Sequence, residues 1–193
     1  MKTARIAVDI DEVLAPFLPT MKKWRPPKPS PRPSNRYVYR DIYNIPEWES
    51  AKMVREFYDS EEFSKMPPIK NAIDAMLELK KDNELFIMTG RQEIVRDKTE
   101  KWVRDNFPGI FSEVIMTNSF TASEVPKSDV CKMLNIGLIF DDNMGVCQDC
   151  MNENIGAINF IGDPVYPWCY ESTISVKSWR LVCDTLRESR ETF

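Results

Sequence analysis

Histidine is absent from this 193-residue sequence. That absence removes Ser-His and Cys-His nucleophilic systems and every histidine-ligated metal site. Any catalysis must therefore run on carboxylates, lysine, hydroxyls or thiols. No apolar run approaches the roughly 18 residues needed to span a membrane. Met1-Lys2-Thr3-Ala4-Arg5 lacks the long apolar continuation of a signal peptide, so the expected location is cytoplasmic. There is no excess of positive charge either. A net charge of -4 argues against wholesale coating of nucleic acid, though not against a local basic patch. Five cysteines, an odd number, fit reduced thiols better than a disulfide framework.

The residues that are present read as an ordinary globular composition, with 42% hydrophobic and 29% charged residues. The organising stretch is Arg5-Ile6-Ala7-Val8-Asp9-Ile10-Asp11-Glu12. A short apolar run ending in two aspartates one residue apart predicts a buried parallel strand with carboxylates at its carboxyl end. Such a pair can hold a hard cation, attack phosphorus and manage protons, although a plain Asx turn at a strand end has the same spacing.

From Lys22 to Arg40 the text changes to seven basic residues, no acidic one and five prolines. This predicts an extended surface loop; Lys23, Pro26 and Pro29 also match a basic proline-rich ligand pattern for a partner protein. Aromatics crowd Tyr37 to Phe63, and Ala51, Val54 and Tyr58 at helical spacing predict a helix over 47–58. The segment 17–68 thus reads as a small, mostly helical insertion containing the basic loop 22–40, within a core of 1–16 and 69–193.

Downstream, helices and strands alternate. Helices are expected at 69–81, 92–107, 127–134, 143–153 and 175–190, with Ile94, Val95, Trp102 and Val103 facing inward on the second. Strands are expected at 84–88, 113–117, 136–140 and 156–161. Alternation without hairpin signals predicts an α/β fold with a parallel five-stranded sheet covered on both faces. All strand ends then share one edge, bringing together Asp9, Asp11, Thr89, Asp141, Asp142 and Lys127 from the helix before the fourth strand. Lys132 is a second candidate for the lysine. Cys147 and Cys150 have a zinc or redox spacing, but Cys169 and Cys183 could complete four ligands only irregularly, which favours buried thiols.

The quartet Asp9-Ile10-Asp11, Thr89, Lys127 and Asp141-Asp142 resembles the four motifs of the haloacid-dehalogenase-like phosphohydrolases. Asp9 to Phe17, Phe63 with Met66 to Ala72, and Tyr166-Pro167-Trp168 are similar to the 5′(3′)-deoxyribonucleotidase branch and its relatives. Glu12 in place of the usual Gly, Thr89-Gly90-Arg91 in place of a Thr-Ser-Pro type sequence, and the proline-rich run depart from it.

The resemblance implies a Rossmann-like core with a helical cap. It also implies a Mg²⁺-dependent phosphomonoesterase in which Asp9 attacks phosphorus and Asp11 moves protons. Thr89 and the Gly90 amide would hold phosphate, with Lys127 neutralising charge. Asp9, the Asp11 carbonyl and Asp141 or Asp142 would ligate Mg²⁺. Phe17 would lie near the base of a nucleoside monophosphate; Arg91 would contact substrate or pair with an acidic neighbour. Competing expectations are a phosphatase of sugar phosphates or nucleic-acid ends, and a weakly catalytic protein that docks a partner through the proline-rich run.

Overall fold

The alternation of side chains along a strand decides this fold. Ile6 and Val8 of β1 (Ala4–Val8) enter one apolar cluster with Leu85 and Ile87 of β2 (Asn83–Thr89). Ala7, Phe86 and Met88 point the other way into a second cluster. Strands buried on both faces need helices on both faces, and the computed structural model, which describes residues 4–28 and 37–191, shows that arrangement. The remaining strands are β3 (Glu113–Met116), β4 (Leu138–Asp141), β5 (Gly156–Phe160) and β6 (Ser175–Val176). Their order is β3-β2-β1-β4-β5-β6, and every pairing is parallel.

The sheet has six strands, not the five expected. Ser175 and Val176 pair with Asn159 and Phe160 before the last helix begins, and two residues are too few to show a strand period. That helix consequently spans Trp179–Glu191 instead of starting at 175.

Among the described residues, four helices lie between β1 and the next core helix: α1 (Phe17–Trp24), α2 (Tyr39–Tyr43), α3 (Glu47–Tyr58) and α4 (Glu61–Ser64). Lys22 and Lys23 close α1, so the basic run begins as helix, and the prolines come only after it. Residues 29–36, and with them Pro29 of the docking pattern, lie outside the described residues. The insertion leaves and rejoins the core at one place, because the Ile69 amide donates to the Leu14 carbonyl oxygen at 2.8 Å. Its apolar residues Phe17, Met53, Phe57 and Phe63 belong to the same buried cluster as Ile6 and Val8.

The core helices are α5 (Ala72–Lys80), α6 (Arg96–Asn106), α7 (Lys127–Met133), α8 (Met144–Asn152) and α9 (Trp179–Glu191). A 3-10 turn at Glu93–Val95 precedes α6. Its tighter winding shifts the phase, so Ile94, expected to face inward, is 76% exposed while Val95 stays buried. Trp179, fully buried, donates its indole N–H to the Val13 carbonyl oxygen at 2.7 Å, tying the last helix to the loop after β1. Among the described residues no helix is long and apolar enough to cross a membrane.

Candidate active site

β1 is flanked by β2 on one side and β4 on the other, so the connections leave it in opposite directions. Such a switch point opens a crevice at the carboxyl ends of the strands. Asp9 follows β1, Thr89 ends β2 and Asp141 ends β4, so all three meet there. Register enforces the meeting, because Val8 pairs with both Ile87 and Phe140, and the Asp9 amide donates to the Phe140 carbonyl oxygen at 2.9 Å.

Asp9, Asp141 and Asp142 each offer a carboxylate oxygen within 4.8 Å of the others, and all three are buried. The Lys127 ammonium is placed among them, 3.1 Å from Asp9 Oδ1 and 2.7 Å from Asp141 Oδ2. Pro126 precedes the first helical residue and fixes the approach of Lys127. Lys132, by contrast, pairs with Asp129 and Glu153 on the surface.

One ammonium does not balance three buried carboxylates. Burial, then Asp141 and Asp11, push the Asp9 carboxyl up to about 7 despite Lys127. Burial, then Asp141, Asp9 and Glu12, push Asp142 well above the usual carboxylate range. Burial alone would lower Lys127, but Asp141 and Asp9 outweigh it and hold the amine protonated. Both oxygens of Asp141 are engaged, Oδ2 by Lys127 and Oδ1 by the Asn143 amide at 2.9 Å. Asp142 Oδ2 accepts the Trp168 indole N–H at 2.9 Å, but its Oδ1 is buried without a hydrogen-bond partner. An orphaned carboxylate oxygen within an all-oxygen group of excess negative charge fits a hard divalent cation.

Asp11 is paired outside this trio. Arg91 grips its carboxylate with two bonds, Nε to Oδ2 at 3.1 Å and Nη2 to Oδ1 at 2.6 Å. Arg91 also donates to Thr99 Oγ1 at 3.2 Å. The rings of Phe17, Tyr58 and Phe63 lie 5.4–5.5 Å from its guanidinium carbon. Arg91 is thus paired with an acidic neighbour, Asp11. Phe17 is 1% exposed and packed by Tyr39, Phe57, Tyr58 and Phe63, which makes it a core residue.

Thr89 is fully buried, and its hydroxyl accepts the Arg91 amide at 3.3 Å. Gly90 lies beside it, where an added Cβ would stand 2.9 Å from Ser119 Oγ. Glu12, the departure from glycine, holds φ +60 and uses its carboxylate to accept the Leu18 amide at 2.7 Å. It thereby caps α1, whose preceding residue Pro16 offers no side-chain acceptor. Cys147 and Cys150 are buried free thiols, and the carboxylate trio is the only candidate metal group among the described residues.

Several participants carried no local sequence signal. Arg91 and Asp11 are 80 positions apart. Asn159 on β5 is buried and donates to the Asp141 carbonyl oxygen at 3.1 Å; only the pairing of β5 with β4 brings it there.

No protein-family profile and no curated protein matches the sequence. Solved structures do. A haloacid-dehalogenase-like family hydrolase from Streptococcus pneumoniae superposes with a TM-score of 0.66 at 12% identity, covering 95% of this chain and 98% of that one. A HAD family hydrolase from Deinococcus radiodurans, solved with bound phosphate and sodium, gives 0.61 at 8% identity over 97% and 96%. A Bacillus subtilis protein assigned as a HAD-hydrolase, solved bound to magnesium, gives 0.63 at 10% over 96% and 99%. At these identities the likeness is one of fold, and the fold of this chain is the HAD-like Rossmann architecture.

Proposed function

We propose that the protein is a phosphomonoesterase working through an aspartyl-phosphate on Asp9, with residues 17–68 as a cap over the site. The observation that carries this reading is the convergence of Asp9, Asp141, Asp142 and Lys127 in one buried group at the strand ends. Asp9 Oδ1 already accepts the Ile10 amide at 2.8 Å and faces Lys127, so Oδ2 is the oxygen that attacks. The Asp9 oxygen bonds to phosphorus as the phosphorus–oxygen ester bond breaks, and the departing oxygen takes a proton from Asp11 in its protonated form, released from Arg91. Asp11 then removes a proton from water, whose oxygen attacks phosphorus and releases phosphate and free Asp9. Thr89 and the Gly90 amide hold phosphate oxygens, and Lys127 offsets charge beside the nucleophile. Asp9, the Asp11 carbonyl and Asp142, through its unpartnered Oδ1, would hold Mg²⁺. When bound, Mg²⁺ supplies positive charge that draws a phosphate dianion among carboxylates and orients it.

Within this class we favour nucleoside monophosphates. The support is aromatic: Tyr37 is 37% exposed and lies against Trp168, which bonds Asp142, whereas Phe17, the sequence candidate for base stacking, is buried. A panel of phosphorylated metabolites assayed with Mg²⁺ tests this. Nucleoside monophosphates should exceed sugar phosphates in kcat/KM by about tenfold or more, the worth of one base-aromatic stack. A panel led by sugar phosphates would leave the phosphatase and remove the nucleotidase. Activity that persists in excess chelator would remove the cation from the reading.

A further inference from the structure

The loop between β5 and β6 supplies no group to the reaction above, yet three of its side chains close on the site. Trp168 Nε1 donates to Asp142 Oδ2 at 2.9 Å. Cys169 Sγ lies 3.2 Å from the Asp142 carbonyl oxygen. The Tyr166 hydroxyl donates to the Glu12 carbonyl oxygen at 2.8 Å. One loop is thus fastened both to the end of β4 and to the turn after β1, the two segments that carry the carboxylates.

The indole itself is held on two sides. Tyr166 stacks on it with centroids 5.2 Å apart and planes inclined by 17°. Tyr37, from the insertion, meets it edge-on at 5.9 Å. Tyr166 is in turn seated on Gly162, where a Cβ would stand 2.5 Å from the ring and where φ is +75. The Tyr166 amide donates to the Ile161 carbonyl oxygen at 2.8 Å and the Cys169 amide to the Tyr166 carbonyl oxygen at 2.9 Å, closing the turn. A ring so enclosed keeps few rotamers, and its N–H is a fixed donor. Fixing Oδ2 fixes the plane of the Asp142 carboxylate, and hence where the unpartnered Oδ1 stands relative to Asp9 and Asp141.

We propose that Trp168 is a positioning residue for divalent-cation binding, its indole N–H setting the Asp142 carboxylate so that Oδ1 is presented to the ion. The inference rests on the cation site of the proposed function. Partners of metal-ligating groups act by orienting them, and their loss characteristically weakens affinity without removing a ligand.

Calorimetric titration of the metal-stripped full-length protein with Mg²⁺ tests it. Trp168→Phe keeps a ring against Tyr166 and removes the N–H. It should bind Mg²⁺ about tenfold more weakly than the wild type. The thermal midpoint of the metal-free protein should stay within about 3 °C of wild type, about 1 kcal/mol for a chain this size. Trp168→Tyr carries the same expectation and covers a failure of the first variant to fold. A wild type that binds no Mg²⁺ overturns the cation site and this inference with it. Wild-type affinity in the variants overturns the inference alone. So does an affinity loss accompanied by a large fall in the metal-free midpoint, since that is general loosening.

Discussion

Asp9→Asn should lower kcat toward an aryl phosphate by on the order of 10⁶-fold, the scale on which a hydrolase loses activity when its nucleophile is removed. Asparagine nearly matches aspartate in shape, and its oxygen can still accept the Ile10 amide that Asp9 Oδ1 accepts. Lys127 keeps Asp141 as a partner at 2.7 Å. The variant therefore folds; what it lacks is an anionic oxygen that can bond to phosphorus. Removing one of three crowded carboxylates also relieves repulsion, so the metal-free variant should melt no lower than wild type. Steady-state turnover in saturating Mg²⁺, with intact-mass detection of a phosphate adduct after a rapid quench, checks both halves. Wild-type turnover by Asp9→Asn would end the aspartyl-phosphate mechanism.

Arg91→Met should destabilise the protein by about 3 kcal/mol, the low end of what breaking a buried ion pair costs. The low end applies because the Asp11 side chain is 21% exposed, so water can partly solvate the carboxylate left behind, whereas that of Arg91 is 1% exposed. Methionine fills much of the space under Phe17, Tyr58 and Phe63 but offers neither charge to those rings nor donors to Asp11 and Thr99. The loss should be specific to the pair. Asp11→Asn combined with Arg91→Met should cost less than the sum of the two single changes by about 2 kcal/mol, within the range seen for directly bonded neighbours. Urea unfolding of the four proteins, compared at equal m-value, gives the coupling. Additivity within 0.5 kcal/mol, the scatter typical of independent sites, would mean that the pair carries no energy of its own.

The carboxylates were legible in the sequence because a short apolar run followed by aspartate leaves few alternatives in a parallel sheet. Asp9 and Asp141 took their places from backbone register alone. Thr89 and Lys127 were legible for a similar reason, one ending a strand and the other opening a helix at the same edge.

Side-chain direction was not legible. Nothing near Arg91 in sequence says that it reaches Asp11, or that three rings of the insertion cover it. An aromatic-rich segment reads the same whether its rings form a core or a binding platform, and only burial separates Phe17 from Tyr37. Ile94 was misplaced because a 3-10 turn resets the helical phase ahead of α6. Trp168 lies 26 residues beyond Asp142, and the intervening strand and turn that bring it back leave no periodic trace.

The single hydrogen bond between Ile69 and Leu14 bears on how this architecture can change over generations. The two residues are neighbours whatever lies between them, so the core meets the insertion as a splice point. For a flexible connection, doubling its length adds only about 0.6 kcal/mol to the cost of closure. Additions and deletions there leave the strand register untouched. One residue gained between Val8 and Asp9 would instead rotate Asp9 out of the carboxylate group. The chain thus separates a stretch whose length can vary without moving the strands from a stretch that tolerates no change in length.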